Sequence, residues 1–241
     1  MSRITVLLAE DHHIVREGVR SLLRHEGDIE IIAEADNGRQ AVEMAKTLRP
    51  AVVVMDISMP LLNGLEAARQ ILHSVPAARV LMLSAHSDSA YIDQVVDIGV
   101  QGYLAKLTHV EILPKAIRQI HQGGTFFSPS VSEGIQRQEN RGIGTGSPKK
   151  KKGTRDRLLS SRETEVLQLI AEGKATKEIA VELGISVKTV EKHRQTLMNK
   201  LGIHDIASLT RYAILTGVVE SPHQEAARIR QSRHDEERKM G

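Results

Sequence analysis

Residues 51–60 read Ala51-Val52-Val53-Val54-Met55-Asp56-Ile57-Ser58-Met59-Pro60, an apolar run closed by a carboxylate and then by a proline-marked turn. A run this short reads as a strand, with the carboxylate at its C-terminal end. Similar runs flank it at Ile4 to Ala9, Ile29 to Glu34, Val80 to Leu83 and Gly102 to Leu104. Between them lie helical patterns at Val15 to Leu23, Gln40 to Leu48, Leu65 to Leu72, Ala90 to Ile98 and Val110 to His121. Strands alternating with amphipathic helices predict an α/β fold, a doubly wound five-stranded parallel sheet with helices on both faces.

The pattern changes after residue 125. From 126 to 156 apolar periodicity fades, and Arg141-Gly142-Ile143-Gly144-Thr145-Gly146-Ser147-Pro148 followed by Lys149 to Lys152 reads as an extended linker. Residues 157–220 are helical in pattern, with breaks near Gly173, Gly184 and Gly202, and predict a small all-α domain. Residues 221–241 are polar and charged and predict a disordered tail.

Composition narrows the function classes. The absence of cysteine removes thiol catalysis, thiolate zinc sites and disulfides. No apolar run approaches the ~18 to 20 residues of a membrane span, so a soluble cytoplasmic protein without a membrane partner is expected. Lys and Arg against Asp and Glu number about 12 to 15 over residues 1–131, 6 to 2 over 132–152, and 10 to 9 over 153–220. The basic balance therefore belongs to the linker, and the C-terminal helical segment is almost neutral.

In a doubly wound sheet, ligands gather beyond the carboxyl ends of the strands. Glu10 and Asp11 follow the first strand and Asp56 the third, so three carboxylates converge and repel unless a cation is present. A hard divalent ion is implied, and Mg2+ suits it, because it takes few carboxylates and bridges to phosphate oxygens. Ser84 and Lys106, at the fourth and fifth strand ends, offer a hydroxyl and an ammonium for phosphate oxygens, while Ala85 is too small to block entry. Asp56 would be the nucleophile, giving an aspartyl phosphate. His12 and His13 adjoin the pair, but an oxygen-rich site of this kind takes few nitrogen ligands. Asp36, Asn37 and Gly38 read as a turn and helix start, with Asn37 a cap and no further role expected.

Residues 3 to about 122 resemble a bacterial response-regulator receiver domain through Glu10-Asp11, Asp56-Ile57-Ser58-Met59-Pro60, Gly64, Ser84-Ala85, Tyr103 and Lys106. The resemblance implies that Asp11 and Asp56 bind Mg2+ with the Ser58 backbone carbonyl, and that Glu10 acts through water. It also implies phosphoryl transfer from a sensor histidine kinase, with Ser84 and Tyr103 as a switch pair. On phosphorylation, which adds roughly −1.5 to −2 charge, Ser84 would turn toward the phosphate and Tyr103 would move inward. One departure is Leu107, where many receivers carry proline after the lysine, and the isomer of the Lys106–Leu107 bond stays open.

In the C-terminal segment, Thr176 to Val190 reads as helix, tight turn, helix, with Thr176 and Ser186 as caps and Gly184 as the break. Ile179, Ala180 and Leu183 would pack against Ile185, Val190, Leu197 and Leu201. That leaves Lys188, Glu191, Lys192, Gln195 and Asn199 on a polar face. In a major groove, Glu191, Lys192 and Gln195 could read bases. Lys188, Thr189, His193 and Arg194 would take phosphates.

Residues 159–214 resemble the LuxR-type output domain of the NarL/FixJ class, through Leu159-Ser160-Ser161-Arg162-Glu163, Leu183-Gly184-Ile185-Ser186 and Lys188-Thr189-Val190-Glu191-Lys192-His193. That resemblance implies double-stranded promoter DNA as partner, a homodimer on DNA through a helix near Ile206 to Thr216, and RNA polymerase as a further contact.

A Mg2+-dependent phosphatase of the haloacid-dehalogenase type needs a second Asp two residues after the nucleophile, where this chain has Ser58. Beyond taking phosphate from a phosphodonor and losing it slowly, no enzyme activity is therefore expected. An RNA or single-strand binder would want more stacking surface than two Phe, three Tyr and no Trp provide. A receiver whose helical domain binds only protein would lack salt-dependent affinity for duplex DNA.

Overall fold

A computed structural model describes residues 3–84, 89–106, 112–127 and 159–220, with the backbone alone for 89–93. Ala85, Leu107, the first residues of the helix expected from Val110, the Lys149–Lys152 run and the tail lie outside the described residues. The chain divides into two units at Glu165/Val166.

The N-terminal unit runs β1 (Ile4–Ala9), α1 (His13–Arg24), β2 (Ile29–Ala35), α2 (Gly38–Leu48), β3 (Val52–Asp56), α3 (Gly64–Ser74), β4 (Arg79–Ser84), α4 (Ser89–Ile98), β5 (Gly102–Ala105), α5 (Leu113–His121) and β6 (Phe126–Phe127). All pairings are parallel and the strand order is β2-β1-β3-β4-β5-β6. The sheet thus has six strands rather than the expected five. The sixth is two residues long, placed by Gly102↔Phe126 and Tyr103↔Phe127, and begins where a linker was expected. Two residues are too few for any periodicity to announce them.

Strand alternation sends the core to both faces. Leu7, Ala9, Val53, Met55, Val80 and Met82 pack with Ala41 and Val42 of α2, Ala67 and Ile71 of α3, and Val95 of α4. Ile4, Val6, Leu8, Val52, Val54 and Leu81 pack with Val19 and Leu23 of α1 and with Ala116, Ile117 and Ile120 of α5. The strand order reverses between β1 and β3, and the crevice opens where such a reversal occurs. Asn37 caps α2 by accepting from Gln40 N–H, and Asn63 caps α3 through Glu66 N–H. Arg118 of α5 clamps the α1–β2 turn at Asp28 (2.8 Å) and at Glu26, and its hydrogen bond holds the Asp28 carboxyl below the usual carboxylate range.

The C-terminal helices are α6 (Ser161–Ala171), which the division at Glu165/Val166 cuts, α7 (Thr176–Leu183), α8 (Val187–Leu201) and α9 (Ile206–Leu215). Gly184 and Gly202 end α7 and α8 at φ +61° and +66°, the left-handed geometry that glycine adopts without a Cβ penalty. Ser186 caps α8 by accepting from Thr189 N–H (3.1 Å), as expected. Thr176 does not cap α7. It is the first helical residue, Ala175 holds the cap position, and the Glu178 carboxylate reaches back to Ala175 N–H at 2.6 Å. Ile179, Ala180, Leu183, Val190 and Leu197 are buried, while Ile185 and Leu201 are partly so. Among the described residues no helix is long and apolar enough to cross a membrane.

Candidate functional site

The β1/β3 reversal brings together residues far apart in the chain. Asp56 ends β3 and is 1% exposed, Glu10 follows β1 and is fully buried, and Asp11 stands half-exposed beside it. Ligand oxygens of Glu10, Asp11 and Asp56 lie within 4.8 Å of one another, as does a ring nitrogen of His12. Lys106 follows β5, and its Nζ sits 2.6 Å from Glu10 Oε2 and 2.7 Å from Asp56 Oδ2. The backbone seats that lysine, since Lys106 N–H donates to the Ser84 carbonyl at 2.7 Å.

Charge tests whether a cation fits. Three carboxylates face the one ammonium of Lys106, an excess of acidic oxygens that a divalent ion would offset. Oxygen donors within mutual reach suit a hard cation such as Mg2+. Ser58, half-buried two residues beyond Asp56, is in sequence reach with its carbonyl.

Several residues outside the expected ligand set hold this pocket in shape. Arg16 on α1 donates from Nη1 to the Glu10 carbonyl at 2.6 Å, while its Nε pairs with Glu34 of β2 at 3.3 Å. Glu10 N–H donates to the Ala35 carbonyl, so β2 and α1 both grip the acidic turn. His12 Nδ1 lies 2.8 Å from Asp11 Oδ1, and its backbone N–H donates to Glu10 Oε1 at 3.2 Å. A Cβ on Gly64 would sit 1.8 Å from the Asp56 carbonyl, and Gly64 N–H donates to the Ile57 carbonyl. Gly38, expected to mark only a helix start, lies against the Leu62 carbonyl, which a Cβ would meet at 1.9 Å. The signal for these roles was a glycine beside a helix start, which does not say what lies across from it.

Ser84 closes β4 at 2% exposure, paired in register with Ala105. Tyr103 is fully buried in the cluster that contains Met82 and Val95. Its side chain thus lies inward, among the residues of that cluster.

A second candidate site lies on α8. Lys188, Glu191, Lys192, Gln195 and Asn199 are all exposed on one face, as their spacing implied. Gln195 Nε2 donates to Asn199 Oδ1 at 2.9 Å, a bond between neighbours one turn apart on the outer face. Thr189, His193 and Arg194 are half-buried instead. The Thr189 hydroxyl lies 2.8 Å from that of Ser186, inside the cap, and Arg194 Nη1 donates to Thr176 Oγ1 on α7 at 2.7 Å.

Comparison with known proteins supports both halves. A response regulator receiver domain matches residues 6–118, and the luxR family of bacterial regulatory proteins matches residues 157–213. The transcriptional regulatory protein DegU of Brevibacillus brevis is 33% identical over 229 residues, covering 91% of this chain and 96% of its own. The chain belongs to the response regulators with a LuxR-type DNA-binding domain. Among solved structures, RcsB of Salmonella enterica serovar Typhimurium, bound to promoter rprA in the presence of the phosphomimetic BeF3−, is 27% identical. It covers 88% of this chain and 98% of its own at a TM-score of 0.54. A structure of two RcsB dimers on two parallel DNAs matches at 27% identity and a TM-score of 0.53 over the same shares. This regulator is thus related along most of its length to proteins that join a receiver to a DNA-binding domain.

Proposed function

We propose that this response regulator accepts a phosphoryl group on Asp56 and binds double-stranded promoter DNA through α8, phosphorylation setting its DNA affinity. The observation that carries the reading is Lys106 Nζ between Glu10 and Asp56, with Asp11 alongside. An ammonium at that point can neutralise an equatorial phosphoryl oxygen while an Asp56 oxygen attacks phosphorus and the donor departs with its bond pair. Bound Mg2+, held by Asp11, Asp56 and the Ser58 carbonyl, would supply charge neutralisation on the same oxygens. Glu10, whose oxygens lie against Lys106 Nζ and the His12 backbone N–H, would act on the ion through water. Ser84 would hydrogen-bond the phosphate and Tyr103 pack behind it.

The donor is a sensor histidine kinase, and a small phosphodonor can stand in for it. Ser58 replaces the second aspartate of the haloacid-dehalogenase pattern, which supports a chain that stores phosphate rather than turning substrate over. On α8, Glu191, Lys192 and Gln195 face bases, and Lys188, Thr189 and His193 lie toward phosphates. RcsB, a relative, sits on DNA as dimers, which supports a homodimer on DNA for this chain. The reading adds α9 as the dimer helix, RNA polymerase as a further partner and the cytoplasm as the place of action.

The test compares wild type with Asp56→Asn, each incubated with acetyl phosphate and Mg2+. Phosphoprotein gels and affinity for a duplex selected by the wild-type chain are the readouts. Wild type should gain one phosphoryl group and bind the duplex more tightly, while the variant does neither. Equal stimulation of both would sink the reading.

A further inference from the structure

Arg194 points away from the role its position suggests. On an exposed, DNA-facing helix an arginine is ordinarily a phosphate contact, yet this one is half-buried and donates to the Thr176 hydroxyl at the far end of α7. The two helices are joined by a short turn, Gly184 to Ser186, which is the vertex between them. Thr176 lies eight residues before Gly184, roughly 12 Å along α7, and Arg194 is the eighth residue of α8. The bond therefore joins the arms well away from the vertex, where a tie fixes the opening angle with most leverage.

Two other features join the arms. Gly184 is the residue type that most readily tolerates dihedral change. The apolar seam of Ile179, Ala180 and Leu183 against Val190 and Leu197 sets the separation of the helices. Apolar packing is not directional, whereas a guanidinium bonded to a hydroxyl prefers one geometry. A rocking of about 5° about the vertex would move a point ~12 Å out by ~1 Å, twice the ~0.5 Å tolerance of a productive site.

We propose that Arg194 is a positioning residue which, through Thr176, sets the angle at which α8 presents Glu191, Lys192 and Gln195, and that it does not neutralise a DNA phosphate. This rests on α8 being the DNA-reading helix. It also accounts for the threonine hydroxyl, which the helix start does not use because Glu178 supplies the cap contact.

Phosphate contact and brace differ in salt dependence. Each neutralised phosphate contributes about 0.9 to the slope of log K against log salt on duplex DNA, and a brace contributes nothing to it. The full chain, with acetyl phosphate and Mg2+, would be titrated over a range of salt against two probes. One is a duplex enriched from a random library by the wild-type chain, and the other is a scrambled duplex of equal length. Arg194→Met and Thr176→Val should each weaken binding to the enriched duplex about tenfold, leave the scrambled duplex within twofold, and keep the wild-type salt slope. The double variant should be no worse than either single one, and Thr176→Ser should restore wild-type binding. Helical circular dichroism checks folding, and if Arg194→Met unfolds, the Thr176 pair decides alone. A slope lowered by about 0.9 with parallel loss on both duplexes overturns the proposal, as does wild-type discrimination in Thr176→Val. If the wild-type chain enriches no duplex, the DNA reading itself fails.

Discussion

The acidic pocket and the outer face of α8 use the same chemistry, carboxylates and ammoniums, and arrange it in opposite ways. In the pocket, Glu10, Asp56 and Lys106 come from three strand ends and are almost wholly buried, so their charges act at low dielectric and each depends on the others. On α8, Lys188, Glu191, Lys192 and Gln195 are exposed neighbours on one helix, and water screens them. Chemistry done by the chain itself needs assembled, dry charge, whereas recognition of a long polyanion needs charge that stays accessible. Changes in the pocket should therefore act cooperatively, and changes on α8 additively.

Loss of the shared cation should break the contrast most strongly. Lys106→Met leaves Glu10 and Asp56 adjacent without their ammonium, and uptake from acetyl phosphate should fall about 10²- to 10³-fold, measured as initial rate at saturating Mg2+. Next comes Gly64→Ala, whose methyl would meet the Asp56 carbonyl at 1.8 Å. It should destabilise the receiver by about 3 kcal/mol, seen as a lower urea midpoint. Lys192→Ala should then weaken binding to the enriched duplex by about 1–2 kcal/mol without changing phosphoryl uptake. The same change at Lys150 should cost less, and the reverse order would move the main DNA contact to the linker.

The smallest effect concerns Asp205, the α9 cap, whose carboxyl is held below its usual range by the Ser208 N–H donated to it. A lowered folded-state value means that the cap stabilises above the ordinary carboxylate range and that this is lost as pH falls through the lowered value. The stability difference between wild type and Asp205→Ala, read from urea midpoints, should therefore shrink on acidification.

Legibility followed the same division. The face of α8 was readable because helical periodicity alone places Lys188, Glu191, Lys192 and Gln195 together, and all four are exposed. Five strands were readable because each is a short apolar run, while Phe126–Phe127 owes its strand state to a neighbour and escaped notice. The cap at Thr176 was misread because Ala175, with no capping side chain, occupies the cap position and Glu178 compensates. The bond from Arg194 to Thr176 was not legible, because spacing reports a direction around the helix and not what a long side chain reaches.

Taken by itself, the amino-acid sequence determined the two-domain plan, the doubly wound sheet and the set of groups at its strand ends, because periodicity and strand-terminal carboxylates are local properties of the chain. Only the tertiary structure decided which atoms meet: Lys106 bridging Glu10 to Asp56, Arg16 gripping the acidic turn from α1, glycines at 38 and 64 admitting a neighbouring carbonyl, and Arg194 spanning two helices. These contacts join residues 6 to 96 positions apart, and their geometry is set by how the elements pack.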